Sequence, residues 1–153
     1  MTDKIGGEHG EGRGNDGGLT RAQYVALATF RFELRRFLAF SETAAQGAGL
    51  PTQQHQALLA IAGFDGPDAP TVGTLSERLL IAPHTATELS ARMVEAGLIS
   101  KAPAPEDRRK VRLALTAKAE ALLADLSAAH LEELKSLEPA LTAALARLAQ
   151  DRA

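Results

Sequence analysis

Three consecutive basic residues, Arg108–Lys110, have the type and spacing in this sequence that most clearly indicate a specific chemistry. They follow a proline-containing stretch and precede the alternating apolar run Val111–Thr116, as expected for the tip of a β-hairpin. Guanidinium and ammonium groups at such a tip can bind phosphates, and an arginine there can enter a narrow DNA minor groove. The alternative is a solvated turn. Between Leu98 and Arg112, five basic and two acidic residues give a net charge of +3, whereas the whole chain carries −2. This concentration favours DNA contact.

Asp107 stands directly before the two arginines, and we expect it to pair with one of them. We predict that Arg109 forms this pair, which would orient the loop, and that Arg108 contacts DNA. The predicted contacts extend to the other basic residues of the segment, Lys101, Lys110 and Arg112.

Two helical patterns precede the hairpin. Residues 71–80 and 83–96 have apolar residues at helical spacing, and only Ile81 and Ala82 separate them, which indicates a helix-turn-helix unit. The start of a recognition helix meets base edges in the major groove. The residues of the second helix that we predict to contact DNA are His84, Thr85, Thr87, Glu88 and Arg92.

Each of these residues also has a plainer interpretation. Thr85 could cap the helix and His84 could be merely exposed, while Arg92 could pair with Glu88 four residues earlier. Glu88 would be repelled by phosphate but can accept a hydrogen bond from cytosine N4; the alternative is that it faces away from DNA.

A long aromatic helix is predicted at residues 20–46, which hold four of the five phenylalanines. A helix that is apolar over so much of its surface must be covered on several sides. We therefore expect a second subunit to cover part of it. Thr52 is predicted to cap a second helix at Gln53–Ala62.

The two ends of the chain differ in character. Residues 1–18 hold seven of the 13 glycines and are predicted to be disordered. After the hairpin, Thr116 is predicted to cap a helix that runs to about Lys135. Pro139 is predicted to mark a break before a last apolar stripe at Leu141, Leu145 and Leu148.

Several function classes are excluded by composition and motif. The chain has no cysteine, which removes disulfides and thiolate metal sites, and its four histidines are far apart, so no metal site is predicted. No catalytic motif is present: the serines lack a nearby histidine and acid, and His130 with Glu133 is interpreted as an ordinary pair on a helix surface. We expect no enzyme, no cofactor, no membrane association and a cytoplasmic location.

A small-molecule site is a further expectation from the first two helices. Arg31 and Arg35 share a helix face and could bind an anionic effector or a partner subunit, or form only a solvated stripe. His55 could line a ligand pocket, although a packed histidine with one hydrogen bond is the alternative. The candidate ligand-binding residues are Arg35, Phe37 and His55.

The segment Leu75–Thr116 resembles the MarR family of winged-helix transcriptional regulators. The resemblance is carried by LSERLLIAPHTATELSARMVEAGLI (75–99), PEDRRKVRLALT (105–116) and AKAEALL (117–123). It implies a mainly α fold with a small β-hairpin, in which dimerisation helices at both ends flank a winged helix-turn-helix. It also implies a domain division at 1–18 (tail), 19–50 (dimerisation helix), 51–116 (DNA-binding domain) and 117–153 (dimerisation helices).

The family resemblance further implies a homodimer that binds a near-palindromic operator in duplex DNA and that a small anionic aromatic effector releases. The sequence departs from the family pattern at Glu88, Ala91, Ala104 and Ala119. The alternative function, favoured by the negative net charge and by Glu88, is a winged-helix protein-interaction module that does not bind DNA.

Overall fold

The computed structural model of the chain describes residues 18–150. Their elements, in chain order, are α1 (Arg21–Gly47), α2 (Thr52–Ala62), α3 (Val72–Leu79), α4 (Pro83–Glu95), β1 (Ile99–Pro103), β2 (Val111–Leu115) and α5 (Ala117–Gln150). About 70% of the described residues are helical, and the two strands form one antiparallel hairpin. The predicted fold class is confirmed. The predicted disordered tail lies outside the described residues, apart from its last residue.

An apolar core joins α2, α3, α4 and the hairpin. Leu58, Leu75, Leu89 and Met93 are fully buried in it, and β2 adds the inward-facing Leu113. Each of the three helices buries one face, because its apolar residues recur at helical spacing. Burial of each large apolar side chain stabilises the fold by roughly 1.5–3 kcal/mol. This core fixes the position of α4 relative to the hairpin.

The turn between α3 and α4 is short and specifically shaped. A capping box opens α3, where the Thr71 and Thr74 hydroxyls each accept a hydrogen bond from the other's backbone N–H, at 3.3 and 2.9 Å. Leu80 ends α3 in the left-handed region, with φ 55° and ψ 42°. The Ser76 hydroxyl donates to the Ile81 carbonyl at 2.7 Å, and Pro83 then starts α4. The predicted helix-turn-helix is therefore present.

The hairpin is anchored to the start of α3. Gly97, with φ 70°, turns the chain out of α4, and Ile99 pairs with Leu115 in the first register position of the sheet. The Leu113 N–H donates to the Pro70 carbonyl at 2.8 Å, and Thr71 forms a bridge with Arg112. The hairpin and α3 therefore hold a fixed relative position.

Helices α1 and α5 pack along each other beside this unit. The prediction that α5 ends near Lys135 is wrong, because one helix continues through Pro139 to Gln150. A proline removes one backbone hydrogen bond, and the buried residues on either side of it, Leu137 and Ala144, hold the helix in place. Within residues 18–150, no helix combines the length and apolar character needed to cross a bilayer.

Two predicted caps have different outcomes. Thr52 is the first residue of α2 rather than its cap, because Pro51 occupies the cap position and supplies no side-chain hydrogen bond. Thr116 is placed as predicted: its hydroxyl accepts from the Ala119 N–H at 3.3 Å and donates to the Gly97 carbonyl at 2.6 Å.

Candidate nucleic-acid interface

Helix α4 exposes the face that carries the predicted base contacts. Its opposite face, formed by Ala86, Leu89, Ser90 and Met93, is buried in the core. Of the predicted contacts, Thr85 is half-buried and the others are exposed: His84, Thr87, Glu88 and Arg92. The N-terminal turn of α4 has no side-chain cap, so its backbone N–H groups are open to an anion.

The tip of the hairpin is a hydrogen-bonded loop. The Ala104 N–H donates to the Lys110 carbonyl and the Lys110 N–H donates to the Asp107 carbonyl, both at 3.0 Å. Ala104 itself is buried. The backbone hydrogen bonds among Ala104, Asp107 and Lys110 thus hold Arg108 and Arg109 at the outer end of the loop. We refer to residues 103–111 as the wing.

Within the wing, Arg109 forms the predicted pair with Asp107. The Asp107 carboxylate accepts from the backbone N–H, Nε and a terminal guanidinium nitrogen of Arg109, at 3.0, 3.1 and 3.3 Å. These hydrogen bonds, first the side-chain ones and then the backbone one, hold the pKa of Asp107 below its ordinary value. The Arg109 side chain is still 92% exposed. The pair orients this guanidinium without covering it.

Arg112, which the sequence predicts as a DNA contact, forms an ion pair with a residue of the wing. Its guanidinium donates to the Glu106 carboxylate at 2.8 Å and is only partly exposed. A hydrogen bond from the Glu106 backbone and then the bond from Arg112 lower the pKa of the Glu106 carboxyl. Arg112 therefore braces the wing against β2, and its charge is largely compensated by Glu106.

A groove runs between the wing and the helix-turn-helix unit. It is a cavity of about 650 Å³ whose walls come from the start of α3, the start of α4 and the wing. Thr87 of α4 lines it together with Lys101, Arg109 and Lys110. Arg108 lies elsewhere, in a smaller hollow lined by Pro103, Ala104 and Pro105. The two neighbouring arginines of the wing therefore point to different surfaces.

The start of α3 is a part of this groove that the sequence argument missed. Thr71 and Thr74, which form the capping box, line its wall, and Glu77 is its acidic member. The sequence predicts a helix at residues 71–80, but only the packing of β2 against Pro70 brings the start of that helix beside the wing.

Other expected pairings are not present in the described part of the chain. No ion pair links Arg92 with Glu88 there, so both side chains are available at the surface of α4. The three candidate ligand-binding residues do not converge: Phe37 and His55 both lie against His130, whereas Arg35 is exposed on α1. Residues 18–150 hold no group of three or more metal-ligating side chains.

The interpretation of His130 as half of a surface pair with Glu133 is wrong. His130 is buried, and its ring bonds the Ser41 hydroxyl and the Leu126 carbonyl. It also lies beside His55, with ring centroids 4.9 Å apart. The sequence does not indicate these contacts, because they join residues far apart in the chain and depend on how α1, α2 and α5 pack.

A family model described as the MarR family matches residues 48–110, which include α2, the helix-turn-helix and most of the wing. The resemblance to the MarR family is confirmed. Among curated proteins, none matches the chain. The fold is that of MarR-family transcriptional regulators, as the solved structures show.

Three solved structures illustrate the shared fold. AbsC, a MarR family transcriptional regulator from Streptomyces coelicolor, has 19% identity and a TM-score of 0.64, covering 78% of this chain and 80% of its own. MepR of S. aureus in complex with DNA has 16% identity and a TM-score of 0.62, covering 80% and 85%. CouR of Rhodococcus jostii RHA1, bound to p-coumaroyl-CoA, has 18% identity and a TM-score of 0.60, covering 75% and 80%.

Proposed function

We propose that this chain is a sequence-specific DNA-binding transcriptional regulator that acts as a homodimer on a near-palindromic operator. The observation that carries the proposal is the groove in which α4, β1 and the wing present Thr87, Lys101, Arg109 and Lys110 to one space. Three cations beside a helix N-terminus suit a phosphate backbone, and the exposed face of α4 suits a major groove. MepR, with the same fold, is solved in complex with DNA.

Within this proposal, the two wing arginines have different roles. Arg109 shares the groove with Lys110 and is oriented by Asp107, which favours Arg109 for the minor-groove contact. Arg108, which the sequence predicts as the DNA contact, is exposed on the other side of the wing. A contact from Arg108 would therefore be separate from that of Arg109. The remaining proposed DNA contacts are His84, Thr85, Thr87, Glu88, Arg92, Lys101 and Lys110, with Arg112 as a brace.

A homodimer is proposed because α1 leaves apolar side chains uncovered. Leu27, Leu34 and Leu38 lie at helical spacing on one stripe and are each at least 40% exposed. We assign residues 19–50 and 117–153 to dimerisation and residues 51–116 to DNA binding. Two copies of α4 would then meet successive major grooves roughly 34 Å apart, so the operator would share the two-fold symmetry of the protein.

Repression, cytoplasmic location and release by a small aromatic or anionic effector complete the proposal, which involves no enzyme activity, metal or cofactor. Phe37 and His55 remain proposed effector contacts beside His130, and Arg35, which is exposed on α1 apart from them, remains proposed for the anionic group of the effector. CouR, which shares the fold, is solved with p-coumaroyl-CoA. An effector can shift the equilibrium between the DNA-bound and free states only by its difference in affinity for the two.

The test is a mobility-shift assay with the DNA that flanks the protein's own gene, at low and at moderate salt. We expect binding that weakens steeply with salt, because each phosphate contact releases counterions. Arg109→Ala should lower affinity by about 1 kcal/mol or more. Arg78→Ala is the matched control, since Arg78 pairs with Asp65 away from the groove. A folded dimer that binds no DNA at low salt would favour the protein-interaction module instead.

A further inference from the structure

A buried histidine pair joins the winged unit to the two long helices. His55 is on the first turns of α2 and is 3% exposed, and His130 is in the middle of α5 and is 8% exposed. Their ring centroids lie 4.9 Å apart. Phe37 and Phe40 of α1 meet the His130 ring edge-on at 5.7 and 5.4 Å. The pair therefore lies in an aromatic pocket where α1, α2 and α5 meet.

Both ring nitrogens of His130 have hydrogen-bond partners. Nδ1 lies 2.6 Å from the Leu126 carbonyl oxygen, which can only accept, so Nδ1 donates. Nε2 lies 2.8 Å from the Ser41 hydroxyl, which can donate to it. His130 thus bonds both α5 and α1.

His55 has no such partners. Its Nδ1 is buried without a hydrogen-bond partner in the described part of the chain. Burial and, to a lesser extent, the neighbouring His130 lower its pKa below the ordinary histidine value. The neutral form of His55 is therefore favoured as long as the three helices stay packed.

No acidic side chain forms an ion pair with His55 or His130 among residues 18–150. Helix α2 carries no ionisable side chain besides His55. On α1, the buried Glu33 is bound by Arg36 at 3.0 Å, and Glu42 accepts a hydrogen bond from Gln46. On α5, Glu133 follows His130 by about one turn. A proton on His55 would therefore lack an ion-pair partner in the described part of the chain and would face the His130 ring.

We propose that the His55–His130 contact is a proton-sensitive joint that holds the winged unit against α1 and α5 while His55 is neutral and loosens when His55 is protonated. The direction of the pH effect on stability follows from the coupling between proton binding and folding. A histidine that binds protons less well in the folded state stabilises the fold above its ordinary pKa of about 6.5. That contribution is lost as the pH falls below this value and through the lowered folded-state pKa.

The test measures thermal unfolding of the full chain from about pH 8 to about pH 5, a range that brackets the ordinary histidine pKa. We expect Tm to fall on acidification, and His55→Phe to reduce this fall while keeping an aromatic ring against His130. His84→Gln, which removes an exposed histidine of α4, should keep the wild-type dependence. Equal pH dependence in wild type and His55→Phe overturns the proposal.

If His55→Phe does not fold, an NMR titration of the histidine ring signals in the wild-type chain tests the proposal instead. We expect the His55 midpoint to lie below the ordinary histidine value of about 6.5. A midpoint at or above that value overturns the proposal.

The effect of the joint on DNA binding rests on the proposed function. If the chain binds its operator, affinity should fall on acidification more in wild type than in His55→Phe, and an equal fall counts against the joint. If the chain binds no DNA at any pH, the proposed function fails, while unfolding and NMR still decide the joint.

Discussion

At the residue scale, the geometry of the wing depends on the Asp107 carboxylate, which holds the exposed Arg109 guanidinium in a fixed direction. Asp107→Asn should weaken operator binding several-fold, because an amide holds Arg109 less firmly and the side chain loses its fixed direction. The thermal midpoint should stay close to wild type, since both side chains are at the surface. Mobility shifts and thermal unfolding of the same samples test this, with Asp65→Asn as the control in an exposed ion pair elsewhere. Unchanged DNA affinity would contradict the orienting role.

The lowered pKa of Asp107 sets the pH range of that contact. Its stabilising pair with Arg109 is complete above the ordinary carboxyl pKa and is lost only in stronger acid, as the pH falls through the lowered value. A loss of DNA binding between neutral and mildly acidic pH would therefore have another origin than Asp107.

Ser41 is a second residue whose single contact can be measured. Ser41→Ala removes the hydroxyl that bonds His130 Nε2 and leaves a buried ring nitrogen without its partner. We expect the free energy of unfolding to fall by about 1 kcal/mol or more at neutral pH. Denaturant unfolding measures this, with the exposed Ser136→Ala as the matched control on α5. If the two variants lose the same stability, the hydrogen bond contributes nothing.

Whether a side-chain pair could be predicted from the sequence depended on how far apart its two residues lie in the chain. Arg109 and Asp107 are two residues apart, so their pair follows from the loop alone. The Glu106–Arg112 pair needs the hairpin register, and the His55–His130 pair needs the packing of helices that are far apart in the chain. Interactions that depend on tertiary packing cannot be obtained from local spacing.

At the element scale, the turn of the helix-turn-helix contains a strained position. Leu80 is in the left-handed region and is 92% exposed, so its side chain contributes little burial to offset the strain. Leu80→Gly should therefore raise the free energy of unfolding by about 0.5 kcal/mol, since relief of the strain exceeds the added entropy of the unfolded chain.

Ala82→Gly is the control for this change, because Ala82 is in the extended region and gains nothing from a glycine. It should be neutral or slightly destabilising in the same denaturant experiment. A loss of stability in Leu80→Gly as large as in Ala82→Gly would show that the left-handed backbone carries no strain.

The elements themselves were largely predictable, because the apolar period changes from helical to alternating and back. The first four helices and the hairpin lie where the pattern indicates, within one or two residues at each end. Pro139 was misleading, since a proline usually interrupts a helix in isolation. Packing of Leu137 and Ala144 on either side holds α5 continuous, and that packing is not visible in local sequence.

At the scale of the whole molecule, the apolar stripe on α1 tests the proposed dimer. Leu34→Glu should raise the dimer dissociation constant by about tenfold or more, which corresponds to ~1.4 kcal/mol, because a carboxylate would be buried against the partner copy. Sedimentation over a range of concentrations measures it. Val94→Glu changes an equally exposed apolar residue on α4, away from the stripe, and should leave the dimer intact. An intact dimer in Leu34→Glu would place the interface elsewhere.

The continuity of α5 gives the molecule a lever arm. Its 34 residues make a rod of roughly 50 Å. One end follows β2 directly, with the Lys118 ammonium bonded to the Ala96 carbonyl at the end of α4. A tilt of only about 5° at the far end displaces the near end by about 4 Å, which exceeds the rise of one base pair, about 3.4 Å. In the proposed DNA complex, small rotations at the far end would therefore be amplified at the wing into displacements as large as one base pair.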